Sequence, residues 1–214
     1  RVLLLRGLFV TSFLADDFFA DNDMFGGSQL VITSASSKTS LALAHEAKRN
    51  AHARVIGLTS NSNIEFVEST GLYDHVVSYD DIQSIAQSPT VIADMAGSAT
   101  VLSALHHHLG VNVVHSARIG ATHWEDSAST GAMPGAKPAF FFAPAQIAKR
   151  GKEWGRDVLN TRMAEALDTF IAHSKSWLEV VSSEGADAMD AVYHQLLDGT
   201  VKPNEGHVNY VPLP

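Results

Sequence analysis

The sequence contains no cysteine. Disulfides, thiolate metal sites and cysteine nucleophiles are therefore excluded within this chain, and nothing in it requires an oxidising compartment. Positive charge is scarce: 15 Lys and Arg stand against 23 Asp and Glu, a formal net charge of −8. That balance argues against broad affinity for nucleic acid or for an anionic membrane surface. No apolar run reaches the roughly 20 residues needed to cross a bilayer. Neither His-Glu-x-x-His nor Gly-x-Ser-x-Gly occurs, so zinc-peptidase and serine-hydrolase chemistry have no support. Internal repeats and low-complexity tails are lacking as well. Arg1–Leu5 superficially resembles a short secretory signal, but the charged and aromatic residues after it break the pattern, and a cytoplasmic protein is expected. With no starting Met, the chain reads as a fragment of a longer protein.

What is present suffices for a packed core. The 214 residues are 45% hydrophobic and include ten Phe and three Trp, a length and composition suited to one large domain. Gly7 to about Asn22 has helical spacing, with Leu8, Phe9, Phe13, Phe19 and Ala20 on one face and Asp16, Asp17, Asp21 and Asp23 expected on a wet one. Short apolar runs at 29–34, 54–59, 75–79, 90–94, 113–120 and 139–143 alternate with helical patterns at 38–50, 64–69 and 98–109. The runs are continuous rather than in-out alternations, which predicts a parallel sheet covered by helices on both faces. Pro144 opens a basic helix, and further helices are expected over 161–181 and 186–198, with a last strand over 206–211.

The turn after the first run has the layout of a phosphate-binding strand-to-helix turn but not its spelling. Thr33-Ser34-Ala35-Ser36-Ser37-Lys38-Thr39 lacks the G-x-G-x-x-G glycines. Free N–H groups and the positive dipole end at a helix start still suit a phosphate, and the hydroxyls of Ser34, Ser36, Ser37 and Thr39 with the Lys38 ammonium add donors. Ala35, Ser36 and Ser37 place Cβ atoms where glycine permits close approach, so weak or distant binding is one expectation and an ordinary polar helix cap the other. A P-loop is rejected, because Ser37 and Ile32 stand where its glycines belong.

The order of these pieces resembles the cofactor-binding half of the medium-chain dehydrogenase/reductase superfamily, in particular its zinc-free quinone-reductase and enoyl-reductase branch. The residues that carry the likeness are the helix at 7–22, the turn at 33–39, Glu65-Phe66-Val67-Glu68-Ser69-Thr70-Gly71-Leu72-Tyr73-Asp74, Asp94-Met95-Ala96-Gly97, Leu196-Leu197-Asp198-Gly199 and Gly206-His207-Val208. Asp94–Gly97, Gly120–Trp124 and Phe140–Arg150 are also similar to a relative of that branch labelled a domain of unknown function. The resemblance implies a single Rossmann-like nucleotide-binding domain over 1–214, lacking an N-terminal catalytic domain, and hydride transfer to a carbonyl, enone or quinone-type small molecule. It also implies a homodimer.

The candidate cofactor residues are Ser34, Ser36, Ser37, Lys38 and Thr39 for the pyrophosphate, and Ser60, Asn61 and Asn63 for the adenosine side. Ala96, Gly97, Gly120 and Thr122 would line the reactive end. The second run ends in Thr59-Ser60-Asn61-Ser62-Asn63 without the acid that usually accepts a ribose 2′-OH, so NADP is favoured over NAD, while a plain helix cap explains the same residues. His123 is the candidate to donate a hydrogen bond or proton to a carbonyl, against the alternative of packing with Trp124 at a loop entrance. His106-His107-His108 point about 100° apart on a helix and are expected at a solvated helix end without metal. Lys149, Arg150 and Lys152 are expected on a solvated face. Two alternatives to the reductase stand: a non-catalytic Rossmann-shaped assembly or sensing module that has lost its cofactor, and transferase chemistry on another nucleotide-bearing small molecule.

Overall fold

Strands buried on both faces need apolar side chains at every position, and the central runs supply them. A computed structural model describes residues 1–95, 97–120 and 133–211. In it the runs form β1 (Gln29–Thr33), β2 (Arg54–Thr59), β3 (His75–Ser78), β4 (Thr90–Asp94), β5 (Val113–Arg118) and β6 (Ala139–Phe140). They make one parallel sheet in the order β3-β2-β1-β4-β5-β6. The doubly wound α/β architecture is as expected, and the order reverses between β1 and β4, where such sheets open a crevice at their carboxyl ends.

Alternate residues of β1 feed two cores. Leu30 and Ile32 face a cluster built from α1 (Val2–Asp21), α2 (Lys38–Asn50) and α6 (Arg156–Ser174). Val31 faces the other cluster, with Ile56, Leu58 and Ile92, under Leu102, Leu105 and Leu109 of α4 (Ala99–Leu109). The helix starts and stops beside the central strands have local causes. Ser37 caps α2 with its hydroxyl, Ala51 ends it in a left-handed conformation at φ +52°, and Lys48 and Arg49 sit at the negative dipole end. Ser98 caps α4, and Gly110 closes it at φ +58°.

Several boundaries differ from the sequence reading. Helix α1 begins at Val2 rather than Gly7, because Leu5 and Phe9 are buried and Phe9 stacks on Phe170 of α6 at 5.5 Å. The run at 139–143 pairs only through Ala139 and Phe140; α5 (Ala143–Glu153) starts at once, with Pro144 in its first turn. The helix expected over 161–181 starts earlier, at Arg156, and ends at Ser174, and Glu179–Glu184 forms β7, parallel to β8 (Glu205–Tyr210) across α7 (Ala186–Leu197). Val180 and Val181 continue the apolar spacing of α6, but β-branched residues suit a strand once β8 lies beside them. Helix α3 (Ile64–Ser69) matches its expected limits.

The faces expected to be wet are so only in part: Lys149, Lys152, Asp21 and Asp23 are exposed, but Asp16 and Arg150 are buried. Arg150 is 8% exposed, and its guanidinium pairs with Asp17 at 2.7 Å, Asp21 at 3.0 Å and Glu153 at 2.5 Å while lying over Trp154. Lys149 also pairs with Asp21. The acidic face of α1 is thus the docking surface of α5, a tertiary contact that amphipathicity alone reads as solvent. Asp16 is 4% exposed beneath the same helices, and Asn50 donates to its Oδ2 at 2.6 Å. Burial pushes its carboxyl up to about 7, against the opposing Asn50 hydrogen bond and with added repulsion from Glu46.

A carboxyl raised in the native state takes up its proton at a higher pH than in the unfolded chain. Ionised Asp16 therefore costs stability above pH 7, and that cost fades as pH falls from 7 towards 4. Asp16→Asn keeps an acceptor for Asn50 and is expected to raise the unfolding midpoint. The gain at pH 8 has a ceiling of about 4 kcal/mol, the free energy that separates a carboxyl of pKa 3.8 from one at about 7. It should shrink steadily towards pH 4. Thermal unfolding at three pH values measures this; an equal effect at every pH would refute it.

Candidate functional site

The carboxyl ends of β1 and β4 are tied together at the point where the strand order reverses. Thr33 Oγ1 donates to Asp94 Oδ1 at 2.9 Å and accepts from the Met95 amide at 2.9 Å. The Gly97 amide donates to the same carboxylate oxygen at 3.1 Å. The chain leaving β5 crosses so close that a Cβ on Gly120 would lie 2.0 Å from Met95 O, and the Ile119 and Gly120 amides both donate to Asp94 O. Glycine is obligatory at 120 for that reason, and the Gly97 and Gly120 amides both donate to Asp94.

The glycine missing from the β1–α2 turn has a counterpart on the neighbouring strand. Ser34 adopts φ +48°, the left-handed conformation that glycine usually supplies. Ala35 is fully buried, and its methyl lies where a Cβ on Gly57 would approach within 3.0 Å. Gly57 in β2 thus leaves a notch for Ala35, whose amide donates to Leu58 O at 3.0 Å and whose carbonyl accepts from Tyr73 Oη at 2.9 Å. The Ala35 methyl expected to obstruct the turn instead points into the sheet. Among the described residues, no acceptor takes the amides of Ser36, Lys38 or Thr39.

The side chains of the turn are more committed than the sequence suggests. Ser37 accepts from the Ser40 amide at 3.1 Å and donates to Ser40 Oγ at 2.8 Å, so its hydroxyl serves the cap. The Ser34 amide donates to Tyr79 Oη at 3.1 Å. Lys38 reaches Pro203 O at 3.3 Å; burial lowers its pKa and nearby Glu205 opposes that fall. The turn after β2 meets this one directly: Asn63 donates to Ser36 Oγ at 3.2 Å and to Ser60 Oγ at 3.1 Å. Asn61 donates to Asp80 Oδ2 at 2.6 Å, so the acid that β2 lacks arrives from the end of β3.

Ala96, Thr122, His123 and Trp124 lie outside the described residues. The three consecutive histidines diverge: His106 is buried and bonded to Pro134 O and Ser116 Oγ, His107 contacts Ser103, and His108 bonds Gln83 and Ile85 O. The first of them is therefore a core residue, not part of a solvated end. No cluster of three metal-ligating groups occurs among the described residues, and no helix there is long and apolar enough to cross a membrane. Sequence reasoning missed Gly57, Tyr73, Tyr79 and Asp80. Only Gly57 left a signal, as a glycine interrupting an apolar strand.

A family model described as a protein of unknown function, DUF2855, matches residues 2–202. A comparison with curated proteins finds no match. Among solved structures, CurA from Vibrio vulnificus is similar over 93% of this chain and 62% of its own, with 15% identity and a TM-score of 0.58. CurA in complex with NADPH gives 15% identity and the same score over 92% and 63%. The yhdH oxidoreductase from Salmonella enterica in complex with NADP matches with 12% identity and a score of 0.57, over 97% and 61%. The chain thus spans about three fifths of the length of these proteins. At such identities the likeness is one of fold alone. With its model spanning nearly the whole chain, the sequence belongs to the DUF2855 family.

Proposed function

We propose that this domain binds NADP and serves a zinc-independent oxidoreductase that transfers a hydride to a carbonyl, enone or quinone-type small molecule. The observation that carries the reading is the set of unclaimed amides at Ser36, Lys38 and Thr39, opening α2 beside the β1–β4 crevice. With the Ala35 methyl turned into the Gly57 notch, the residues fit a diphosphate held by backbone N–H groups and the helix dipole. Ser60, Asn61 and Asn63 would hold the adenosine phosphate, and Ala96, Gly97, Gly120 and Thr122 the nicotinamide side. The nicotinamide supplies the hydride; His123 would donate a hydrogen bond or proton to the acceptor oxygen. The similar structures solved in complex with NADPH and NADP support this cofactor choice.

The substrate walls would come from a separate catalytic part of a longer, cytoplasmic, homodimeric protein. The apolar stripe Met189, Tyr193, Leu196 and Leu197 on α7, each more than half exposed, supports a covering partner of that kind. A second reading, a sensing or assembly module without cofactor, is favoured by the Tyr79 hydroxyl on the Ser34 amide and the Lys38 ammonium on Pro203.

Titration with NADPH, followed by nicotinamide fluorescence, separates the two; silence at about 1 mM, a binding energy near 4 kcal/mol, would favour the second. Lys38→Pro removes an amide donor at a first helical position, where proline is tolerated, after an extended Ser37 (φ −72°, ψ 145°). It should weaken NADPH about tenfold or more relative to Lys38→Ala, since a hydrogen bond to a charged group contributes about 1.5–3 kcal/mol. Equal affinities would remove the amide grip from the account. Asp80→Asn takes a carboxylate away from the 2′-phosphate turn. It should tighten NADPH about fivefold, roughly 1 kcal/mol of relieved repulsion, and leave NADH unchanged; competition titration reads the ratio.

A further inference from the structure

A cavity of about 240 Å³ lies on the α1 and α5 side of the sheet edge, away from the turn that would hold a nucleotide. Phe18, Phe140, Phe141 and Phe142 wall it. Its hydrogen-bonding side chains are His115 of β5 and Gln146 of α5, and no Lys, Arg, Asp or Glu lines it among the described residues. Phe18 and Phe141 sit 5.4 Å apart at 46°, within the range of aromatic contact.

His115 is held in place but makes no hydrogen bond to a described residue. Its ring stacks on Phe25 at 3.8 Å and 5°. Phe25 reaches that position through three successive left-handed residues, Asp23, Met24 and Phe25, at φ +50°, +48° and +52°. Such backbone is costly for residues with a Cβ, and its retention marks a position the surroundings over-determine. Neither ring nitrogen has a hydrogen-bond partner among the described residues. Burial lowers the pKa of His115, so the ring is neutral near pH 7, with one donor and one acceptor. Gln146 is 5% exposed; its amide nitrogen is committed to Asp17 at 2.5 Å, leaving its carbonyl oxygen without a described partner.

We propose that this cavity binds a neutral, single-ring aromatic molecule bearing one hydroxyl, a phenol, with its ring among the phenylalanines and its hydroxyl on His115. The volume sets the size: cavities of about 150 Å³ accept benzene, and drug-sized ligands need about 300 Å³ or more. Among the described residues no charged side chain lines the cavity, so nothing there offsets the desolvation of an ion, and this sets the charge. The site needs no nucleotide, so it stands or falls separately from the reductase reading.

The test uses 4-methylphenol, toluene and 4-methylbenzoate as probes, without nucleotide, read by saturation-transfer NMR and thermal shift. 4-Methylphenol should bind with a dissociation constant of about 1 mM or tighter, about fivefold more tightly than toluene, and 4-methylbenzoate should not bind. His115→Phe keeps the stack on Phe25 and should abolish the preference for the phenol while toluene still binds. Ala145→Trp, at an exposed position on α5 beside the opening, should block both. The proposal is overturned by no binding of 4-methylphenol at about ten times that concentration. It is equally overturned by binding that both variants leave intact, or by a dimer that covers the opening and shuts the probes out.

Discussion

A methyl group seated in the space left by an absent side chain controls the mouth of this domain. Ala35 can turn into the sheet only because residue 57 has no Cβ, and Ser34 must accept a left-handed backbone to bring it there. With that methyl removed from the surface, the amides of Ser36, Lys38 and Thr39 at the start of α2 have no acceptor among the described residues. Any larger group at 57 would meet Tyr73 and Ala35 together and push the turn outward. The phosphate-binding reading rests on this one steric arrangement.

Charge joins distant parts of the chain in a comparable way. Asp17 and Asp21 of α1 receive Arg150 and Lys149 of α5 and so fix that helix across the sheet edge. A network with several carboxylates on one guanidinium is well satisfied, whereas Asp16, deeper in the same face, keeps only Asn50 and is driven towards its neutral form. Helix α1 therefore performs two tasks. It packs Phe9 and Phe19 into the core and presents a buried electrostatic seat for a distant part of the chain.

Most of the fold was legible in the residues. The limits of α2, β2, α3 and β4 follow from cap residues, β-branched runs and glycine stops, all of which are local. The departures occur where a local pattern has two readings. Val180 and Val181 fit the spacing of a helix and the shape of a strand, and β8 decides between them. Asp17 and Asp21 fit a solvated face and an ion-pair face, and α5 decides. For the candidate site, the sequence named the turns after β1 and β2 as candidates, and the structure joins them through Asn63 and Ser36. It did not show that Ser37 is occupied by its own cap, that Lys38 leans towards Pro203, or that Asp80 enters from β3 beside Asn61.

The sequence by itself determined the class of fold, because two-sided burial of a strand and one-sided burial of a helix impose periods that can be read along the chain. It also determined where a helix would begin beside the central strands, since caps and turns involve neighbours a few residues apart. Only the tertiary structure decided which donors remain available there. Hydrogen-bond commitments such as Tyr79 on Ser34, and the steric pairing of Ala35 with Gly57, join residues more than twenty positions apart, and no periodicity records them.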